Sequence, residues 1–278
     1  MIVVTGATGN VGGTLVRALA GAGERVTAVS RGISARDLPE GVRPVRADLV
    51  EPASLAPAFD GADSLFLLTS GDWMSAGGDG TVVADVLDRA RTGGVRRVVL
   101  LSSQGVQTLR HSPDLEDAVT RSGLEWTVLR PGAFASNAFA WAATIRERRE
   151  AAAPFADVAL PVVDPEDIAA VAAVVLREAG HGGGTYVLTG PAAVTPRQQV
   201  AAIGDALGEP VRFVEQTREE ARAQMLRFMP ERVADATLDV LGTPTADEQR
   251  ARPDVERVLG RPAGSFAGWA ARHAAAFQ

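Results

Sequence analysis

The first thirteen residues, Met-Ile-Val-Val-Thr-Gly-Ala-Thr-Gly-Asn-Val-Gly-Gly, constrain the fold more than any other stretch. Ile2, Val3 and Val4 form a wholly apolar run, the pattern of a strand buried on both faces. Beyond Asn10, apolar residues fall at Val11, Leu15, Val16 and Leu19, the spacing of one helical face. Gly6, Gly9 and Gly12 therefore sit where a strand gives way to a helix. A helix N-terminus presents N–H groups without intrahelical partners and carries partial positive charge. Glycine removes the side chains that would keep a phosphate from those donors. The spacing is G-x-x-G-x-x-G, not the commoner G-x-G-x-x-G. Its meaning comes from the strand before it and the helix after it.

The first half repeats this alternation. Strands are expected at residues 25–29, 42–46, 63–68, 97–101 and 126–129. Helices are expected at 52–59 and 81–91, and another begins at Ser112-Pro113 with acids in its first turn. Such a pattern predicts an α/β fold: a Rossmann-type doubly wound parallel sheet with right-handed crossovers. The expected organisation is a dinucleotide-binding domain over residues 1–150 and a smaller α/β substrate or lid region over 151–278. In that second region short strands are expected at 158–163 and 186–189, with a helix capped by Asp164 between them. Residues 145–150 read as a solvated helical face, and the alanines at 151–153 as helix or loop filler. Two helices split at Pro230, and a last one is anchored by Phe266, Trp269 and Phe277.

Composition removes several function classes. A net charge of −6 over 278 residues gives no basic field for nucleic acid. With no cysteine there is no disulfide, thiolate chemistry or cysteine metal site. All 28 basic residues are arginine, which excludes Schiff-base chemistry. His111, His181 and His273 have no carboxylate at ligand spacing on a helix, so no metal is expected. No apolar run approaches the roughly 20 residues that span a bilayer. The chain opens directly into a strand, so no leader is expected and the expected location is the cytoplasm. The oligomeric state is left open.

Several residues point to a cofactor and its reactive end. The second strand ends in Ser30-Arg31, where a dinucleotide fold faces the adenosine ribose. An arginine there meets a 2′-phosphate, with Ser30 as a second donor, so the expected cofactor is NADP(H). The loop after the fourth strand carries Trp73 and Met74, which either cover a small-molecule substrate or pin the loop. His111 follows the fifth strand on the ligand side of the sheet. Its imidazole either donates a proton to a developing alkoxide or fills a local structural role. Phe134, Phe139, Trp141, Phe228 and Met229, with Trp73, supply apolar surface for a small aromatic substrate.

Thr5 to Gly12, the Ser102-Ser103 pair, and the run from Ser122 to Gly132 followed by Phe134 and Asn137 carry a resemblance. So do Val163-Asp164-Pro165-Glu166-Asp167-Ile168-Ala169 and Gly260-Arg261-Pro262. Together they resemble, nearly end to end, the NmrA-like group of atypical short-chain dehydrogenase/reductases. The resemblance implies NADP(H) in a Rossmann fold, with Gly6, Gly9, Asn10 and Val11 at the pyrophosphate and Thr8 and Gly12 in the same turn. It implies Arg31 at the 2′-phosphate, Asp48 and Leu49 near adenine, Leu68, Thr69 and Ser102 near the nicotinamide ribose, and Pro131 and Phe134 near the ring. The substrate-side candidates are Trp73, Met74, Gln104, Phe134, Asn137 and Phe228; the catalytic candidates are His111 and Ser102.

The group includes quinone reductases, natural-product ketoreductases and redox-sensing regulators. Typical short-chain dehydrogenases pair a tyrosine with a lysine. Here lysine is absent and the one tyrosine, Tyr186, lies far along the chain. Laying Tyr-x-x-x-Lys-x-x-x-Glu on Glu116 places Thr108 and Ser112 where that pair would stand. Two readings follow: an NADPH-dependent reductase of a quinone or ketone, or an NADP(H)-sensing regulatory protein without turnover.

Overall fold

A computed structural model describes residues 1–69 and 78–278. The chain begins with β1 (Ile2–Thr5), α1 (Asn10–Gly21), β2 (Val26–Ser30), β3 (Arg43–Arg46), α2 (Ala56–Phe59) and β4 (Ser64–Leu67). It continues with α3 (Gly80–Thr92), β5 (Arg97–Leu101), α4 (Gln104–Gln107), α5 (Asp114–Thr120), β6 (Glu125–Pro131), α6 (Ala142–Arg148) and β7 (Glu150–Pro154). Then follow α7 (Pro165–Arg177), β8 (Gly184–Leu188), α8 (Pro196–Leu207), β9 (Arg212–Gln216), α9 (Arg218–Met225), α10 (Glu231–Gly242), α11 (Asp254–Leu259) and α12 (Phe266–Arg272). These elements form two compact units that interleave along the sequence.

The first unit comprises residues 1–131, 165–187 and 258–260. It is built on a seven-stranded parallel sheet in the order β3-β2-β1-β4-β5-β6-β8. Val3 of β1 pairs with Thr27 on one side and Leu65 on the other, so β1 is central and its four residues are all buried. The order reverses between β1 and β4, which opens a crevice at the carboxyl ends of those strands. Leu15 and Leu19 of α1 are fully buried. Replacing either by alanine costs about 2–5 kcal/mol, because the residual cavity adds to the lost transfer energy. On the other face Val83, Val86 and Leu87 of α3 pack with Leu65, Leu67 and Leu100. Helix α7 packs on α1, so this unit draws on residues beyond 150.

The second unit comprises residues 132–164, 188–257 and 261–278. Its β7 and β9 form a parallel pair, with Ala151 opposite Phe213. The alanines at 151–153 are thus a strand, not helix or loop filler, and Ala151 is fully buried. Alanine carries no strand propensity; pairing with β9 decides the outcome. The strand expected at 158–163 is not formed: Leu160 makes an isolated bridge to Val194, and Val163 one to Phe134. Phe266, Trp269 and Phe277 are buried as expected. Phe139 joins them, with its ring 4.9 Å from Trp269 and stacked 5.9 Å from Phe277. The Trp141 indole N–H donates to the Ala152 carbonyl at 3.0 Å. Phe139 and Trp141, expected as substrate surface, therefore serve this unit's core.

Helices α9 and α10 flank Pro230, where the break was expected. Arg222 ties them together, donating to Asp235 at 2.6 Å and to Glu231, while Arg218 reaches Asp239 at 2.6 Å. The Arg222 hydrogen bonds hold the Asp235 carboxyl below its ordinary range and push the guanidinium value upward. Among the described residues no helix is long and apolar enough to cross a membrane. A carboxyl whose value is depressed by folding stabilises the fold above its unfolded value, about 3.9, and that stabilisation disappears as pH falls through the folded value. The urea midpoint of the wild type should therefore drop more steeply between about pH 5 and pH 3 than that of Asp235→Asn. Parallel curves for the two proteins would remove this linkage.

Candidate active site

At the reversal point the end of β1 is tied to the end of β4 by one side chain. The buried Thr5 hydroxyl accepts from the Leu68 N–H at 2.8 Å and lies 3.1 Å from the carbonyls of Phe66 and Leu68. The next residue, Gly6, has φ +64°, and a Cβ there would sit 2.5 Å from the Leu68 side chain. A Cβ on Gly12 would sit 2.2 Å from the Gly6 carbonyl oxygen, so the first turn of α1 packs directly on the strand exit. Gly9 stands at the N-cap in extended backbone with no side-chain cap, and the first turn holds no acid. A twelve-residue helix thus starts directly at the strand exit, with no side-chain cap on its N-terminal donors and its dipole at the carboxyl end of β1. This cradle fits the pyrophosphate of a dinucleotide.

The neighbouring residues extend it. The hydroxyls of Thr8 and Ser30 meet at 2.9 Å, which joins the glycine turn to the end of β2, and Arg31 beside them is exposed. Asn10 is exposed, whereas Val11 is buried against the sheet. After β3, Asp48 Oδ1 accepts from the Val50 N–H at 3.2 Å and the Asp48 N–H donates to Ser54 Oγ at 3.0 Å. That turn leaves Leu49 half-buried. Leu68 and Thr69, half-buried, follow β4.

A second cluster lies at the ends of β5 and β6. Ser102 Oγ donates to Glu116 Oε1 at 2.5 Å. Arg130 grips the same carboxylate with two bonds, Nε to Oε1 at 3.0 Å and Nη2 to Oε2 at 2.5 Å. Glu116 is 7% exposed, and the Ser102 N–H donates to the Leu129 carbonyl at 2.8 Å. An ionised carboxylate only accepts, so the serine hydrogen is committed inward. Glu116 and Arg130 were not among the expected site residues. They lie 14 residues apart on a helix and a strand, and no local spacing signals their meeting.

His111 closes the loop that follows. Ser103 caps α4 by accepting from the Gly105 N–H at 3.0 Å. The Gly105 carbonyl receives the N–H groups of Arg110 and His111 at 2.8 and 3.0 Å. A Cβ on Gly105 would lie 2.6 Å from His111 Nδ1, so the imidazole rests on a bare Cα. His111 is exposed, and Leu109 in the same turn adopts φ +61° with its side chain 91% exposed.

The remaining expected residues fall in both units. Gln104 is buried in α4, and Pro131 closes β6. Phe134 and Asn137 belong to the second unit, where the Phe134 carbonyl accepts from the Asn137 N–H at 3.1 Å. Phe228, in the same unit, is 70% exposed between α9 and α10. Trp73 and Met74 lie outside the described residues. A cavity of about 940 Å³ runs along α3 and α5, lined by Asp79, Asp88, Arg91, Asp117 and Arg121. It contains none of the expected cofactor residues and is not the dinucleotide site. Among the described residues no group of three potential ligands could hold a metal.

Residues 6–179 match a family model described as NAD(P)H-binding. Over its whole length the chain is 36% identical to a (4-alkanoyl-5-oxo-2,5-dihydrofuran-3-yl)methyl phosphate reductase of Streptomyces griseus, covering 99% of that protein. It is also 36% identical, over 100% of this chain and 99% of the relative, to an NAD(P)H azoreductase of Xenophilus azovorans. The NADPH-dependent quinone oxidoreductase of Escherichia coli, solved with NADPH, shares the fold with a TM-score of 0.81 at 24% identity, over 98% of this chain and 99% of that one. The fold is also that of NmrA. With residues 6–179 matched by that model and its full length shared with two reductases, the chain belongs to the NAD(P)H-binding family, as an oxidoreductase of NmrA-like, Rossmann-type architecture.

Proposed function

We propose that this protein uses NADPH to reduce a small quinone or ketone of aromatic character. One observation carries the reading: a helix N-terminus with no side-chain cap, brought close against the exit of β1 by Gly6 and Gly12, stands at the reversal point of the sheet. The whole-length relatives, both named as reductases, support turnover over a binding-only role. Bound NADPH supplies the hydride; the protein supplies orientation and electrostatics. The first turn of α1 takes the pyrophosphate, Ser30 and Arg31 the 2′-phosphate, and Asp48 and Leu49 the adenine side. Leu68, Thr69, Ser102 and Pro131 take the nicotinamide side. His111 holds the proton for the nascent alkoxide at Nε2, the ring edge away from Gly105. The decisive assay is NADPH oxidation with a panel of quinones and polycyclic aromatic ketones. Tight NADPH binding with no oxidation across the panel, joined to partner binding that follows the cofactor's redox state, would establish the sensor instead.

Arg31 should set the cofactor preference. A charge-assisted contact to the 2′-phosphate contributes about 1.5–3 kcal/mol, a factor of ten to a hundred or more in affinity. Arg31→Ala should therefore weaken NADPH by that factor and leave NADH nearly unchanged in parallel titrations. Equal affinity of the wild type for both cofactors would end the NADP(H) reading.

His111→Ala should lower kcat by roughly 10²-fold or more with little change in NADPH affinity. Gly105→Ala, which leaves the imidazole intact but displaces it, should lower kcat in the same direction. A loss of less than about threefold in His111→Ala would reject the acid role and leave water or the substrate as proton source.

A further inference from the structure

We propose that Glu116 and Arg130 are positioning residues that convert the Ser102 hydroxyl into a fixed hydrogen-bond acceptor for the nicotinamide half of the cofactor. The inference rests on the NADPH reading above and concerns how this chain prepares that end of its site. The Glu116 side chain is 10% exposed and that of Arg130 is 21% exposed, so the ion pair is largely removed from water. Arg130 occupies one lone pair on each carboxylate oxygen, and Ser102 takes a second on Oε1. The serine hydrogen therefore points to Glu116, and the backbone bond from Ser102 to Leu129 fixes the residue that carries it. What remains on Oγ are lone pairs, at the half-buried carboxyl edge of β5.

Lone pairs select donors. The carboxamide and ribose hydroxyls of the nicotinamide nucleoside are donors; phosphate oxygens are not. The arrangement thus favours the nucleoside end of the dinucleotide over its phosphates. It also removes Ser102 as a proton source, since giving up its hydrogen would leave an alkoxide beside a carboxylate. A buried ion pair often adds little net stability, so this one needs another reason to be built.

The test separates positioning from folding. Loss of one partner alone leaves a buried charge unpaired and endangers the fold. The informative variants are Ser102→Ala and the apolar pair Glu116→Leu/Arg130→Met, each checked by thermal midpoint and circular dichroism. Calorimetric titration compares NADPH with 2′,5′-ADP, which carries the 2′-phosphate but lacks the nicotinamide half. Both variants should raise the Kd of NADPH about tenfold and shift that of 2′,5′-ADP by less than about twofold. Combined with Ser102→Ala, the apolar pair should add almost nothing further, because all three residues act through one hydroxyl. Equal weakening of both ligands, unchanged NADPH affinity, or additive effects would overturn the proposal. A wild type that binds neither ligand would overturn the cofactor reading and this inference with it. A wild type that binds both, with variants that keep the ratio, would overturn this inference alone.

Discussion

Gly12 and the Gly6 carbonyl approach so closely that a single methyl group would separate them, and the geometry of the sheet edge follows from that contact. With no side chain at either position, α1 starts directly against the exit of β1. Thr5 then fastens that exit to Leu68 at the end of β4. The two paired strands on either side of the reversal point are thereby tied together at their carboxyl ends, and the helix N-terminus starts beside that tie. The Thr8–Ser30 hydroxyl contact carries the same constraint outward to β2. On the proposed reading, phosphate recognition in this chain comes from backbone placed by these contacts, and side chains refine it.

The ends of β5 and β6 use a different principle. There a buried carboxylate accepts from a guanidinium at two points and from a hydroxyl at one, and the result is directional: the serine hydrogen is committed to Glu116. Such a network gives orientation at the cost of chemical versatility. The neighbouring loop is held through glycine, since the His111 imidazole occupies the space a Gly105 side chain would take. Leu109 accepts a left-handed backbone in the same turn, a conformation that costs a residue with a Cβ about 1–2 kcal/mol. Strain of that size persists where surrounding bonds over-determine the turn, and the two N–H donors on the Gly105 carbonyl do so here.

The features legible in the sequence were those with strong local signatures. The apolar run of β1, the periodic face of α1, the glycines between them and the break at Pro230 all rest on short-range rules, and the structure follows them. Ala151, Phe139 and Trp141 did not read correctly because their environments are tertiary. The alanine strand exists through β9, more than 60 residues away by register, and Phe139 turns inward because α12 and Phe277 offer it a ring-lined seat. The candidate site divides in the same way. Its phosphate end is a local motif, whereas Glu116 and Arg130 become a pair only when a helix and a strand are brought together.

The absence of lysine gives these arrangements a common logic. Guanidinium groups stay charged across the physiological range, so each arginine acts by fixed charge and planar geometry, never by yielding a proton. Arg130 shows the consequence: its fork grips a carboxylate at two points, which an ammonium could not reproduce. Arg222 does the same for the α9–α10 pair. Electrostatic orientation in this chain is therefore separated from proton movement. On the proposed reading, the lysine-tuned tyrosine of typical short-chain dehydrogenases has no counterpart that combines both tasks. Orientation falls to the Ser102–Glu116–Arg130 cluster, and the proton must come from an imidazole, from water or from the acceptor itself. Acceptors whose reduced form is a stabilised oxyanion, such as quinones, place the smallest demand on that proton, which is why a site of this composition suits them.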